Sequence, residues 1–325
     1  MNVFLTSAFA DQQWTHVPLV EQLCTEDRFK IHGLIKQPEQ ADIILYLDAH
    51  MHPGDVSLKA IRTHPIARKY PGKTFIYNEL DRPWCVLPGL YVSMPARWFD
   101  PSRQSAFGYL SLSNKVVAAA KDDFEPDLLF SFMGSRTHWT RSSILEYFST
   151  HPRGYFEDTT AINFFSYSTP DIERRKANYA DVLRRSKFVL CPRGAGTSSF
   201  RLFETMAAGR VPVIIGDEWV APSGPLWETF SVRVKESEIG SIAQRLEELE
   251  PRFAAMSVAA REAWDKWFAR DVLFHRMVEK CIDIQNRTPD CIQTAKRNIH
   301  SLYHRARHLK TQMKSAWKKE EPANV

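Results

Sequence analysis

The chain has 325 residues, 44% of them hydrophobic and 25% charged, with a net charge of +5. That length accommodates two domains of ordinary size, and the composition excludes a disordered or fibrous protein. Mild positive charge suits anionic substrates or a membrane surface without requiring nucleic acid, and five scattered cysteines with no C-x-x-C pair argue against both a disulfide framework and a zinc site.

Val3 to Leu5 reads as a first strand and Val17 to Cys24 as a helix. The start of the chain has no charged segment followed by a long apolar core, and no stretch approaches the roughly 18–20 apolar residues of a membrane helix. The expectation is a cytosolic protein. Phe29 to Ile35, Ile43 to Leu47 and Lys73 to Tyr77 follow as strands, which with the intervening helix indicates a parallel, doubly wound sheet. Ligands of such sheets lie beyond the carboxyl ends of the strands, which draws attention to Asp48, His50, His52, Glu79 and Asp81. His50 and His52 alone are too few for a metal site. The aromatic segment 83–103, with Trp84, Tyr91 and Trp98, suits either stacking on sugar rings or packing between layers. Lys115 to Lys121 reads as a short helix, and the acidic, proline-ended stretch 122–126 as a linker, so the first domain is expected over 1–125 and the second over 126–285.

Leu128 to Met133 opens the second domain as a strand and turns through Gly134 into a helix from Ser142 to Phe148. Tyr155 to Asp158 and Asp171 to Arg185 continue as strand and helix. Lys187 to Cys191 is then an apolar strand, ended by Pro192 and two glycines. Thr197, Ser198 and Ser199 offer cap hydroxyls to a helix carrying Phe200, Phe203, Met206 and Ala207 at spacings of three and four, with Gly209 as its stop and Val211 to Ile215 as the next strand. The loop's free amides and the helix dipole suit an anion such as a diphosphate, here at Gly194, Gly196, Thr197, Ser198 and Ser199. Arg193 enters this loop. Arg201 occupies the first helical turn, where a cation opposes the dipole and is explained by a bound diphosphate or by simple exposure. Glu204 shares its face and suits either a ribose or an ion pair with Arg201. The glycines fit neither a Walker A loop nor a full dinucleotide fingerprint, which disfavours an oxidoreductase. Ser231 to Val234 is a last strand; 239–249, 253–268 and 272–284 are amphipathic helices that could return to the first domain. From 295 to 319 there are eight Lys or Arg residues and no acid, which suits a basic amphipathic helix on an anionic membrane or a solvated terminal helix.

The string Cys191-Pro192-Arg193-Gly194, the Ser-rich loop, Arg201-Leu202-Phe203-Glu204, and Val211-Pro212-Val213-Ile214-Ile215 followed by Asp217 resembles the C-terminal signature of exostosin-type glycosyltransferases. The resemblance is dense from about Phe130 to Leu246. It implies the GT-B architecture, two Rossmann-like domains facing across a cleft, and inverting transfer from a nucleotide sugar, most often a uridine diphosphate sugar, to a saccharide in glycan or polysaccharide synthesis. It also implies that Arg136, with Arg141 as the alternative, faces the diphosphate from the second loop.

Breaking the bond to the diphosphate leaves charge that fixed cations and helix amides stabilise. Metal-dependent transferases usually carry Asp-x-Asp, and none occurs here, so Arg136, Arg193 and Arg201 would do the work with no cofactor. A single displacement also needs a general base from the first domain. Asp48 is the first choice and Glu79 the second, with Asp81 and His50 behind them. The alternative is a protein of the same fold that binds a nucleotide sugar or saccharide without chemistry.

Overall fold

The computed structural model describes residues 1–9, 15–47, 57–84, 86–110, 114–117, 124–162, 169–287, 295, 298–307 and 309–310. Asp48, His50 and His52 lie outside them, as do Cys85 and Cys291 and residues 122–123 of the linker.

The first sheet is built from β1 (Asn2–Thr6), α1 (Val17–Glu26), β2 (Gly33–Leu34), β3 (Ile43–Tyr46), α2 (Lys59–Thr63), α3 (Pro65–Lys69), β4 (Thr74–Asn78), β5 (Gly89–Tyr91) and β6 (Gln104–Ala106). Its strand order is β2-β1-β3-β4-β5-β6, with every pairing parallel. β3 and β4 are buried at every position, as continuous apolar strands covered on both faces must be. The strand expected over Phe29 to Ile35 shrinks to two residues, because Lys30 takes a left-handed backbone (φ 53) and its amide is held by the Asp27 carboxylate. β5 arises within the aromatic segment and β6 directly after it, where short strands broken by proline leave no periodic signal. Gly89 is required at the start of β5: a Cβ there would lie 2.1 Å from the Ile76 carbonyl oxygen. Trp84 and Tyr91 are buried, so they serve packing. Of the helix expected over Lys115 to Lys121, 115–116 form a turn and 118–121 lie outside the described residues.

The second sheet comprises β7 (Leu128–Gly134), α4 (Trp139–Phe148), β8 (Gly154–Asp158), α5 (Pro170–Arg185), β9 (Ser186–Pro192), α6 (Phe200–Ala207), β10 (Val211–Ile215), α7 (Trp227–Phe230) and β11 (Val232–Val234). Its order is β11-β10-β9-β7-β8, again all parallel. α5 shows why these segments are helical: Thr169 Oγ1 accepts from the Ile172 amide, proline opens the first turn, Asp171 and Glu173 follow, and Arg184 and Arg185 close the last turn. The chain ends its main body in α8 (Ile242–Leu249), α9 (Phe253–Trp267) and α10 (Arg270–Gln285).

α10 crosses back to the first sheet and packs on α1, while Arg270 pairs with Glu26 at 2.9 Å. One core cluster therefore runs from Val3, Leu45 and Tyr77 through Phe203 and Met206 to Phe274 and Met277. A separate core fills the outer face of the second sheet around Phe130, Leu190 and Ile242. The two parallel α/β sheets thus face each other across a cleft, as the GT-B arrangement requires.

Candidate functional site

In the second sheet the connection from β7 runs to β8 on one side, and β9 returns on the other, so the loops after β7 and β9 diverge. This is the topological switch point, where open parallel sheets leave a crevice. A cavity of 310 Å³ occupies it, lined by Ser135, Thr137, Arg141 and Thr159 near β7 and β8, by Gly194, Ala195, Ser198, Ser199, Arg201 and Glu204 from the β9–α6 unit, and by Asp81 and Tyr109 from the first domain.

Arg201 lies at the floor and is 8% exposed. Its Nη2 donates to the Met133 carbonyl, and the guanidinium sits 4.6 Å from the Phe132 ring centre. Nε and Nη1 have no hydrogen-bond partner among the described residues. Arg141, from the first turns of α4, reaches across β7: its Nε donates to the Arg193 carbonyl at 3.0 Å, Nη1 to Ser135 O at 3.3 Å and Nη2 to Pro192 O at 3.4 Å. Burial and then the positive charge of Arg201 push the Arg141 guanidinium down to about 10. Two enclosed cations that destabilise each other beside unmet donors form an arrangement that an anion relieves.

The β9–α6 loop supplies the rest. A Cβ on Gly194 would come within 3.0 Å of Arg141 Nη2, so glycine lets the guanidinium lie against the loop. Ser199 holds the N-cap position of α6 without a side-chain bond to the helix, and the Thr197 and Ser198 hydroxyls are buried with no partner among the described residues. The expected cap hydroxyls are therefore not spent on the helix; those of Ser198 and Ser199 lie on the cavity wall.

Glu204 forms no ion pair with Arg201. Its Oε1 accepts from the Asn114 amide at 2.8 Å and its Oε2 from Tyr179 Oη at 2.7 Å. Burial raises its pKa, opposed by those bonds and by the charge of Arg201.

The first domain presses down through Asp81: a Cβ on Gly196 would lie 2.6 Å from Asp81 Oδ1 and 2.7 Å from Ser93 Oγ. Burial pushes the Asp81 carboxyl up, opposed by Arg82, the Gly196 amide, Arg141 and Arg193. The Tyr109 hydroxyl is raised by burial and by Asp81, and its ring stacks on Phe200 at 3.6 Å.

Three expected residues fall elsewhere. Arg136 is turned to the outer edge of the sheet, where its Nε donates to Asp158 at 2.6 Å and its Nη1 to Glu146 at 3.3 Å; Arg141 takes the place in the cavity. The Arg193 side chain points past Gly216 toward Glu236, 3.9 Å away, and only its carbonyl serves the site, as the anchor of Arg141. Glu79 is held by His16 at 2.7 Å and Tyr77 Oη at 3.1 Å and is absent from the cavity lining. Among the described residues one set, His32, His275 and Glu279, has metal-ligand spacing. Its ligand atoms lie within 4.8 Å of one another, and its two rings stack at 5.0 Å and 19°.

Residues 117–249 match the Exostosin GT47 domain. Arg141, Gly194, Ser198, Arg201 and Glu204 fall inside it, whereas Asp81 and Tyr109 lie outside. A protein described as a probable glycosyltransferase of Arabidopsis thaliana is 36% identical over 80 residues, 24% of this chain and 15% of that protein. The exostosin-1 homolog of Caenorhabditis elegans is 34% identical over 92 residues, 27% of this chain and 24% of that protein. The match thus spans less than a quarter of these relatives' length. Among solved structures, an alpha1,3-fucosyltransferase aligns over 90% of this chain and 91% of its own at 11% identity, with a TM-score of 0.44. The pairing of the matched region with a second parallel sheet rests on the strand order of the chain itself. Lys176, Tyr179 and Asn114 were not singled out by sequence; the spacing that brings Tyr179 to Glu204 involves two elements distant in the chain.

Proposed function

We propose that the protein transfers a glycosyl unit from a nucleoside diphosphate sugar, with uridine diphosphate as the expected leaving group, to a saccharide hydroxyl. The observation that carries this reading is the pair Arg141 and Arg201: two enclosed guanidinium groups meeting at the amide-rich start of α6. As the bond from the anomeric carbon to the diphosphate lengthens, negative charge grows on the phosphate oxygens. Arg201 Nε and Nη1, the Ser198 and Ser199 hydroxyls and the loop amides are fixed donors for it, a preorganised stabilisation of the departing charge. No metal is required in this scheme.

Asp81 is the group we place as general base. It is the one carboxylate of the first domain among those lining the cavity, it faces the β9–α6 loop at Gly196 from that domain, and its raised pKa makes it a stronger base than an ordinary aspartate. Attack from that side in a single displacement inverts the anomeric configuration. Glu204, its oxygens already accepting from Asn114 and Tyr179, is suited to hold a donor hydroxyl through a remaining lone pair.

The test is a panel of nucleotides and nucleotide sugars read by thermal shift, followed by incubation of any binder with candidate saccharides and mass analysis of the products. Stabilisation by uridine diphosphate and formation of a glycosylated product support the reading. Stabilisation without transfer or hydrolysis across the panel supports the non-catalytic reading, and no stabilisation by any nucleotide overturns both.

A further inference from the structure

The terminal helical stretch 298–307 wears its amphipathic character inside out. His300, 1% exposed, stacks on Trp98 at 4.7 Å and 16°, and His304 lies 5.2 Å from the Trp84 ring, so the helix rests on the first domain by its histidine face. Burial pushes the His300 ring down to about 3, and it packs as a neutral group. The other face carries Ile299, Leu302 and Ala306 at spacings of three and four, continued by Leu309. Ile299, Leu302, Tyr303 and Leu309 are 57%, 64%, 51% and 59% exposed. Four of the thirteen large apolar side chains exposed among the described residues thus fall within eleven positions. A terminal helix that merely sat in water would turn this stripe inward.

The surroundings are basic. Leu309 and Arg305 share a groove with Lys59, Arg62 and Arg68 from the α2 and α3 region, and no carboxylate lines it among the described residues. Residues 295–319 contain eight Lys or Arg and no acid. Apolar side chains standing out beside a ring of cations match a lipid surface, with acyl chains for the stripe and anionic headgroups for the cations. Nucleic acid would leave the apolar stripe unused. A second copy of the same face would bring like charges together.

We propose that this face docks the protein onto an anionic membrane surface, with Ile299, Leu302 and Leu309 entering the interface and Arg62, Arg68 and Arg305 meeting the headgroups. Among the described residues no helix is long and apolar enough to cross a membrane, so the contact is peripheral. The proposal does not depend on the glycosyl-transfer reading.

The test is co-sedimentation of the full chain with phosphatidylcholine vesicles and with vesicles containing about one third phosphatidylglycerol. Wild type should pellet with the anionic vesicles alone, and less so as salt rises. The double substitution Ile299→Glu, Leu302→Glu should weaken that binding roughly tenfold or more, while Val258→Glu, at a side chain 60% exposed on α9, should leave it unchanged. Arg62→Glu with Arg68→Glu should weaken it as well. All replaced side chains but the arginines are chosen for exposure, and an unchanged melting temperature in each variant establishes folding. Failure to bind anionic vesicles, equal binding to phosphatidylcholine, or full retention by the double variant overturns the proposal. So does a wild-type dimer in sedimentation velocity that the double variant abolishes while vesicles are ignored.

Discussion

Arg201→Met separates a cation kept for a ligand from one kept for the fold. In the protein without ligand, Arg201 Nε and Nη1 are buried without a partner among the described residues. Each such donor costs about 1–3 kcal/mol, before any water returns part of it, so the two together cost about 2–6 kcal/mol. Methionine removes that cost but also removes the bond to the Met133 carbonyl, worth about 1.5–3 kcal/mol for a charged donor. The contact with Phe132 at 4.6 Å contributes about 0.5–2 kcal/mol more. Gains and losses nearly cancel, and the expected change in unfolding free energy is within about 2 kcal/mol, whereas truncating one partner of a buried structural ion pair costs about 3–5 kcal/mol. Binding behaves differently. Uridine diphosphate at a hundredfold excess over its Kd should add about 2.7 kcal/mol to wild type. Losing one charge-assisted contact weakens affinity by about 1.5–3 kcal/mol, which at the same concentration cuts the ligand's contribution to about 1.4 kcal/mol or less. Urea unfolding with and without the nucleotide measures both quantities. A loss above about 4 kcal/mol in the ligand-free variant, or a ligand contribution equal to wild type, refutes the reasoning.

Asp81→Asn should lower turnover by roughly 10²–10⁴-fold with nucleotide binding retained, measured as kcat beside Kd. Because a base must be deprotonated and burial raises the Asp81 pKa, the wild-type rate should fall on acidification at a higher pH than an ordinary aspartate dictates; an acid limb in the usual aspartate range, or none, counts against the assignment. Gly196→Ala places a methyl 2.6 Å from Asp81 Oδ1 and 2.7 Å from Ser93 Oγ, so the carboxylate must turn away from the loop; turnover should drop toward that of Asp81→Asn, measured as kcat, with the fold retained by circular dichroism. Arg136→Ala removes only the exposed pairing with Asp158 and Glu146 and should leave nucleotide affinity and melting temperature nearly unchanged. Arg141→Ala, by contrast, should abolish the nucleotide's thermal shift.

Local pattern was enough for β9, α6 and β10. An apolar run, a glycine-containing loop, a helical spacing of three and four and a second apolar run are each settled by neighbours in sequence, and so is the placing of Ser198, Ser199, Arg201 and Glu204 around a helix N-terminus. It was also enough for a parallel fold, since fully buried strands alternating with helices admit few other layouts. Tertiary structure alone decided which arginine of the β7–α4 connection serves the site. β8 and β9 flank β7 on opposite sides; Arg136 leans toward β8 and finds Asp158, while Arg141 leans toward β9 and finds the Arg193 carbonyl. Strand order is invisible in the periodicity of either strand, so five residues of separation could not tell the two apart. The same holds for Asp81 over Glu79, because the distance from the end of β4 to Gly196 depends on how one domain sits on the other. That placement is fixed by contacts remote in the chain, among them α10 on α1 and Tyr109 on Phe200, whose energy comes from apolar surface buried between elements that no local pattern pairs.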